Sequence, residues 1–363
     1  MGEVLGIGLS HYPGPVAPPR VWARMLERGV EVGRIRPELY ADKNAWPEPM
    51  RAEWGTDEGA AAAEQHKARL LAGYRALSNA LREFDPDLVL IWGDDQYENF
   101  KRDCVPAFAV GIFDRIVSRP YNASAVFKTS DNVWGLAPDA ELLLRGHKVA
   151  AAALTRYLIE HQFDVAYSLE TRHSGGLAHS INNTVLYLDF ERHGEGFGYP
   201  IVPFHVNCYG SDLLKTSAAM VGEGENVLAP PAPTPKRCFE IGAATARFFA
   251  ASPWRVALIG SSSWSHGSLT VKHGRLYPDI AADQQRLEEL RSGHSRDWAG
   301  LTEAALDDAG QQELLNWICL AGAMNELNQP AEIVDFVQTY LFNSSKCFAL
   351  FPPQAKHHAA TAS

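Results

Sequence analysis

Apolar residues follow two alternating periods along this chain. Residues 4–9 form a short, glycine-spaced apolar run that predicts a buried strand, and Ser10-His11-Tyr12-Pro13 ends it because Pro13 breaks any regular continuation. Over residues 60–84, Leu70, Leu71, Tyr74, Leu77 and Leu81 recur every three or four positions, which predicts a helix stopped by Asp85-Pro86-Asp87. A continuous apolar strand is expected over 88–92, followed by the polar cluster Gly93-Asp94-Asp95-Gln96. The grammar then repeats. A helix over 148–161 precedes a strand over 164–168 and a loop carrying His173 and His179. A strand over 201–206 ends at Asn207-Cys208-Tyr209-Gly210. A helix over 235–250 precedes a strand over 255–259 and a loop reaching His266, and a last helix covers 309–324. This alternation predicts an α/β fold: one large domain whose mostly parallel central sheet is flanked by helices.

Composition narrows the setting. With 46% hydrophobic and 21% charged residues in 363, the chain can bury a sizeable core. No Pro/Gly/Ser-rich linker divides it, so residues 1–355 are expected to form one domain and 356–363 a disordered tail. Residues 13–59, rich in Pro, Gly, Trp and charge, read as an inserted excursion or lid. The net charge of -10 and the lack of a Lys/Arg block argue against nucleic acid as a partner. No apolar run is long enough for a membrane span, and the first residues do not resemble a secretory leader. Five scattered cysteines without a CxxC pair predict free thiols and a cytoplasmic location.

In open α/β sheets, ligands bind beyond the carboxyl ends of the strands. His11, the cluster Asp94-Asp95-Gln96 with Glu98, the pair His173 and His179, and His266 all fall after expected strands. Each has a bland explanation as a loop, turn or capping residue; their convergence is the stronger signal. Glu313 reads alone as an acid in the first turn of a helix. Tyr209 reads equally as packing or as a hydrogen-bond donor to a ligand. His66 reads as solvated on a charged helix face, and His205 as a satisfied structural histidine inside a strand. Trp22, Tyr40, Trp46 and Trp54 of the excursion either line a ring-binding pocket or pack the excursion onto the body.

In the same order, Ser10-His11-Tyr12-Pro13, the segment 88–100, His173 to His179, Val202-Pro203 with Val206-Asn207, Arg237-Cys238-Phe239, Ser261 to His266 and Glu313-Leu314-Leu315-Asn316-Trp317 resemble the motifs of the class III extradiol ring-cleavage dioxygenases of the protocatechuate 4,5-dioxygenase β-subunit type. The pattern Asp95 to Phe100 looks most like the 3-O-methylgallate dioxygenase branch. The resemblance implies Fe(II) on His11 and Glu313, with His173 and His266 in acid/base roles. His179 is expected to join the catalytic residues, and Tyr209, Asn207 and Asp95 to face the substrate. It also implies an aromatic diol and O2 as reactants and a homo-oligomer.

One position departs from the family. Gln96 stands where the second iron-binding histidine is expected. Three accounts follow: Gln96 binds through its carbonyl oxygen, Glu98 replaces the histidine, or His179 or His173 swings in. A ligand from the Gln96/Glu98 turn is the expected outcome. The alternative is a metal-free or zinc-binding family member acting as a binding protein or hydrolase.

Overall fold

The protein is described from a computed structural model, which places residues 2–101, 103–171, 173, 176–191, 197–210 and 230–353. The tail expected over 356–363 lies outside these described residues.

Ten strands occur among them: β1 (Glu3–Leu9), β2 (Leu88–Asp94), β3 (Phe108–Gly111), β4 (Arg115–Ser118), β5 (Leu142–Arg145), β6 (Ala166–Ser168), β7 (Ile201–Val206), β8 (Arg255–Ser261), β9 (Glu332–Val337) and β10 (Lys346–Phe351). Eight form one sheet in the order β6-β3-β7-β2-β8-β1-β10-β9, and β4 and β5 make a separate hairpin. The centre is parallel: β1 and β2 flank β8, and β2 also pairs with β7. Both flanks contain antiparallel pairs, β3 with β7 on one side and β1-β10-β9 on the other. The sheet is thus the mostly parallel α/β sheet that the alternating pattern predicts.

The central strands are buried on both faces, which is why they read as unbroken apolar runs. Alternation sorts them. Leu88, Leu90 and Trp92 of β2 join one core with Val256 and Leu258 of β8 and the apolar helix Leu314–Glu326. Val89 and Ile91 join the other with Ala257, Ile259 and the helix Ala60–Phe84. Close approach fixes the glycines here. A Cβ on Gly8 would lie 2.1 Å from the Trp317 ring, so the strand and the helix over it touch only because that side chain is missing.

Three differences from the expected elements matter for the site. β2 runs on to Asp94 and β8 to Ser261, so the polar cluster begins inside the ladder. His66 is buried rather than solvated: it sits four residues before Leu70, on the apolar stripe, against Trp22 and Phe342. The excursion folds into short helices whose aromatic residues pack inward, with Trp22 and Trp46 buried and Trp46 edge-on to Trp54. No helix among the described residues is long and apolar enough to cross a membrane.

Candidate active site

The strand ends are held by side chains that cap their carbonyls. The Tyr74 hydroxyl donates to the Ser10 carbonyl at 2.7 Å, Asn183 Nδ2 to His11 at 3.0 Å, and Ser180 Oγ to Asp94 at 2.6 Å. On the other face Trp317 Nε1 donates to the Ser262 carbonyl at 2.8 Å, and Ser262 Oγ to Glu313 at 2.7 Å. The first four bonds cap carbonyls at or just beyond strand ends, and the fifth joins the Asn316 N–H on the Glu313 carbonyl at the start of a helix; together they fix where His11, Asp94 and Glu313 project.

His11 is the middle of the cluster. Its Nδ1–H donates to the Ser261 carbonyl at 2.9 Å, so Nε2 carries the free lone pair. That nitrogen lies 3.4 Å from Asp94 Oδ1 and 3.4 Å from Glu313 Oε2. Both oxygens are buried and neither has a hydrogen-bond partner. His266 repeats the arrangement: Nδ1 donates to the Trp264 carbonyl at 3.2 Å and Nε2 lies 3.3 Å from Glu313 Oε2. Among the described residues, His11, Asp94 and His179 form a group whose possible ligand atoms all lie within 4.8 Å of one another.

The second oxygens of the two acids are tied together. Gln96 Nε2 donates to Asp94 Oδ2 at 3.0 Å and to Glu313 Oε1 at 3.1 Å, and the Tyr209 hydroxyl also donates to Glu313 Oε1. Gln96 therefore enters the centre as a donor bridging two carboxylates. Glu98 enters one step further out, accepting from the His179 backbone N–H at 3.0 Å and from His179 Nδ1 at 2.8 Å.

Burial and charge divide these groups. Desolvation lowers His11 and His266 to about 4, so both imidazoles are neutral at ordinary pH. Burial pulls the same way on His179, but Glu98, Asp94 and Glu313 outweigh it and raise His179 to about 10. Burial pushes Asp94 up, and the neighbouring His11 and His179 more than reverse that. Glu313 is pushed well above the carboxylate range by burial and by the Asp94 charge.

Beyond these groups opens a cavity of about 770 Å³, within the size range of small-ligand sites. His11, Gln96, Glu98, His179, Tyr209, His266 and Glu313 reach its wall. His173 also reaches it, held from the side by Asp103 at 2.8 Å. The excursion supplies Pro13, Val16, Met25 and Arg34; its tryptophans and Tyr40 stay out of the wall.

Two expected substrate contacts are not brought there. Asp95 accepts from the backbone N–H groups of Asn99 and Phe100, at 2.7 and 3.1 Å, and so closes the turn after β2. Asn207 accepts from the Tyr209 N–H at 3.2 Å, and Asp95 and Asn207 line a separate small recess beside His205. His205 is buried there with Nδ1 unpartnered, so it is not the satisfied histidine that its strand position suggested.

Asp94 fell within the polar cluster expected after β2, but the ligand role was expected of Gln96 or Glu98 and none was assigned to Asp94. The signal for it lay in strand alternation. If β2 continues past Trp92, Asp94 shares Trp92's face, which the helix beginning beside Glu313 covers.

Comparison with known proteins gives consistent names at low identity. No family profile matches the chain. A 2,3-dihydroxyphenylpropionate/2,3-dihydroxicinnamic acid 1,2-dioxygenase of Photorhabdus laumondii is 26% identical over 219 residues, 60% of this chain and 54% of that protein. The protein of the same name from Burkholderia vietnamiensis is 27% identical over 308 residues, 72% of this chain and 83% of its own length. A third, from Paraburkholderia phymatum, is 25% identical over 70% of this chain and 80% of its own. The chain spans about half the length of the first of these relatives. A solved structure of an uncharacterized Escherichia coli K12 protein, JW3007, is a weaker likeness: TM-score 0.46 at 11% identity, over 78% of this chain and 92% of that one.

Proposed function

We propose that this chain, a member of the class III extradiol ring-cleavage dioxygenase family, uses the cavity to open the ring of a catechol-type diol with O2. The observation that carries the reading is the pair of buried, unpartnered carboxylate oxygens, Asp94 Oδ1 and Glu313 Oε2, each 3.4 Å from the bare Nε2 of His11. A buried carboxylate oxygen without a donor is costly: burial drives Glu313 to hold a proton, and a cation that replaces this proton would complete both acids at once. Mixed imidazole and carboxylate donors suit a divalent first-row metal, here Fe(II). His11, Asp94 and Glu313 would hold it, with His266 and His179 beside them.

When bound, such a metal supplies the redox step that ring electrons and O2 do not make alone. The chain's own residues do the rest. His266, neutral, is the acceptor for a diol proton. His179, kept charged by Glu98, attracts the resulting anionic oxygen and is the donor that returns a proton as the ring opens. Gln96 and Tyr209 hold the far oxygens of the acids, so that Asp94 Oδ1 and Glu313 Oε2 stay turned to the centre. The residue in the Gln96 position thus acts through the acids, and Asp94 takes the place left by the missing histidine. The excursion 13–59 forms part of the cavity roof and limits water.

The test is an oxygen electrode with anaerobically iron-loaded protein and a panel of catechols. Diol-dependent O2 uptake with one ring-opened product per O2 is expected. Iron bound at the site but no uptake with any diol would leave the metal-binding half standing and replace the dioxygenase with a hydrolase or binding protein.

A further inference from the structure

We propose that a side pocket between Arg34 and Arg275 is an anion subsite, which takes a carboxylate carried on a short arm of the substrate ring. The word substrate here rests on the ring-cleavage reading; the anion subsite itself does not.

The pocket has about 240 Å³ of space and is a branch of the main cavity, since Met25, Arg34, Val126, Ser268 and Asn343 belong to the walls of both. Its wall holds three arginines (Arg28, Arg34 and Arg275) and no acidic residue. Arg28 lies 3.5 Å from Glu31. Among the described residues, no carboxylate comes within ion-pair distance of Arg34 or Arg275.

Arg34 is half-buried, and its Nε is buried without a partner. Arg275 is half-buried too and spends one nitrogen on the Ser268 carbonyl at 2.7 Å. Burial first, then the Arg275 charge, pull Arg34 down from its usual value, and burial alone lowers Arg275. Two like charges sharing a half-buried recess without an acid is an unfavourable arrangement in the free protein. A bound carboxylate relieves it and finds planar donors suited to bidentate contact.

The fold holds Arg34 in place. Arg34 N and Ile35 N both bond the Gly29 carbonyl, at 2.8 and 3.0 Å, with Gly33 at φ +70° turning the chain between them and Ile35 buried against Gly29. Arg34 lines the same cavity as Tyr209 and Glu313, so the subsite opens onto the space in which a ring seated at the centre would lie. The other cations of the main cavity are poorer candidates. Arg119 is bound to Glu141 at 2.6 Å, and Lys101 is exposed.

Calorimetric titration of the full-length protein with 3-phenylpropionate, which has the arm and no diol, tests this without any turnover. The neutral amide of the same acid is the control. Wild type should bind the acid, and Arg34→Gln and Arg275→Gln should each weaken it about ten- to hundredfold, the range for a charge-assisted hydrogen bond. Arg34→Lys should recover part of the loss, and unchanged melting curves exclude misfolding. That result upholds the subsite even if no catechol supports O2 uptake, in which case only the ring-cleavage reading falls. Equal binding of acid and amide overturns the subsite. So does binding of inorganic phosphate or acetate that fails to compete with 3-phenylpropionate. So do catechols with and without a carboxylate arm that turn over at the same KM in wild type and Arg34→Gln, which would leave ring cleavage intact.

Discussion

The floor and the roof of the cavity are built on opposite principles. The floor is acidic and buried and joins a strand end to a helix start: Glu313, at the head of a helix, reaches the wall, and Asp94, at the end of β2, lies behind it. Asp94 is 0% exposed and Glu313 2%, and capping bonds hold the backbone on either side of them. The roof is basic, half-buried and made of loops: Arg34 from the excursion, Arg275 from the segment after His266. Desolvated carboxylates are costly without a cation, and desolvated guanidiniums without an anion. On the proposed reading the two surfaces are complementary: a metal below and an anionic diol above would complete both.

Disrupting the floor should have the largest effect. Asp94→Ala or Glu313→Ala removes one of the unpartnered oxygens. Losing an outer-sphere partner of a metal ligand typically costs 10–100-fold, so loss of a direct ligand should exceed about a hundredfold in iron affinity and in activity, measured by elemental analysis and the oxygen electrode. Glu98→Gln leaves the floor's oxygens alone and removes the first charge that holds His179 near 10. Activity should fall about tenfold, and because His179 then loses its proton at lower pH, the alkaline limb of the pH–rate profile should move to lower pH. Removing the roof's charge should separate from both. Arg34→Gln should raise KM for carboxylated catechols about tenfold or more with little change in kcat, since it acts on binding and not on the reacting atoms.

Smaller effects probe the scaffold. Gly8→Ala drives a methyl into the Trp317 ring that anchors the Ser262 carbonyl; overpacking of this kind costs about 1–3 kcal/mol, read by denaturant melts. The smallest effect concerns His205, lowered to about 4 by burial, with Glu98 and Asp94 opposing. Its folded value lies below the unfolded one, so its neutral ring contributes stability above pH 6.5 that is lost as pH falls towards 4. His205→Phe should leave stability near pH 7 almost unchanged and flatten its decline in acid.

The same contrast explains what could be read from sequence. Floor residues sit where a period-two or period-3.6 pattern stops, so His11, Gln96, Glu98, His179, His266 and Glu313 could be placed near one another before any coordinates. Asp94 was placed in the cluster but given no role, because β2 was expected to end at Trp92, when its pleat carries on for two more residues. Asp95 and Asn207 were drawn in by their neighbours, though turn chemistry had already claimed their side chains. Roof residues carry no such signal. Arg34 and Arg275 lie 241 positions apart, and only the packing of the excursion against the loop after His266 puts them in one pocket. The strands β3, β9 and β10 were likewise unreadable, being short or set by antiparallel partners at the sheet's flanks.

The central claim is that two carboxylate oxygens and one imidazole await a cation. Anaerobic titration of Fe(II) into the wild type and into Asp94→Ala, followed by elemental analysis after desalting, tests it most directly. The account predicts close to one iron per chain in the wild type and almost none in the variant. Equal iron in both proteins, or none in the wild type, would contradict it.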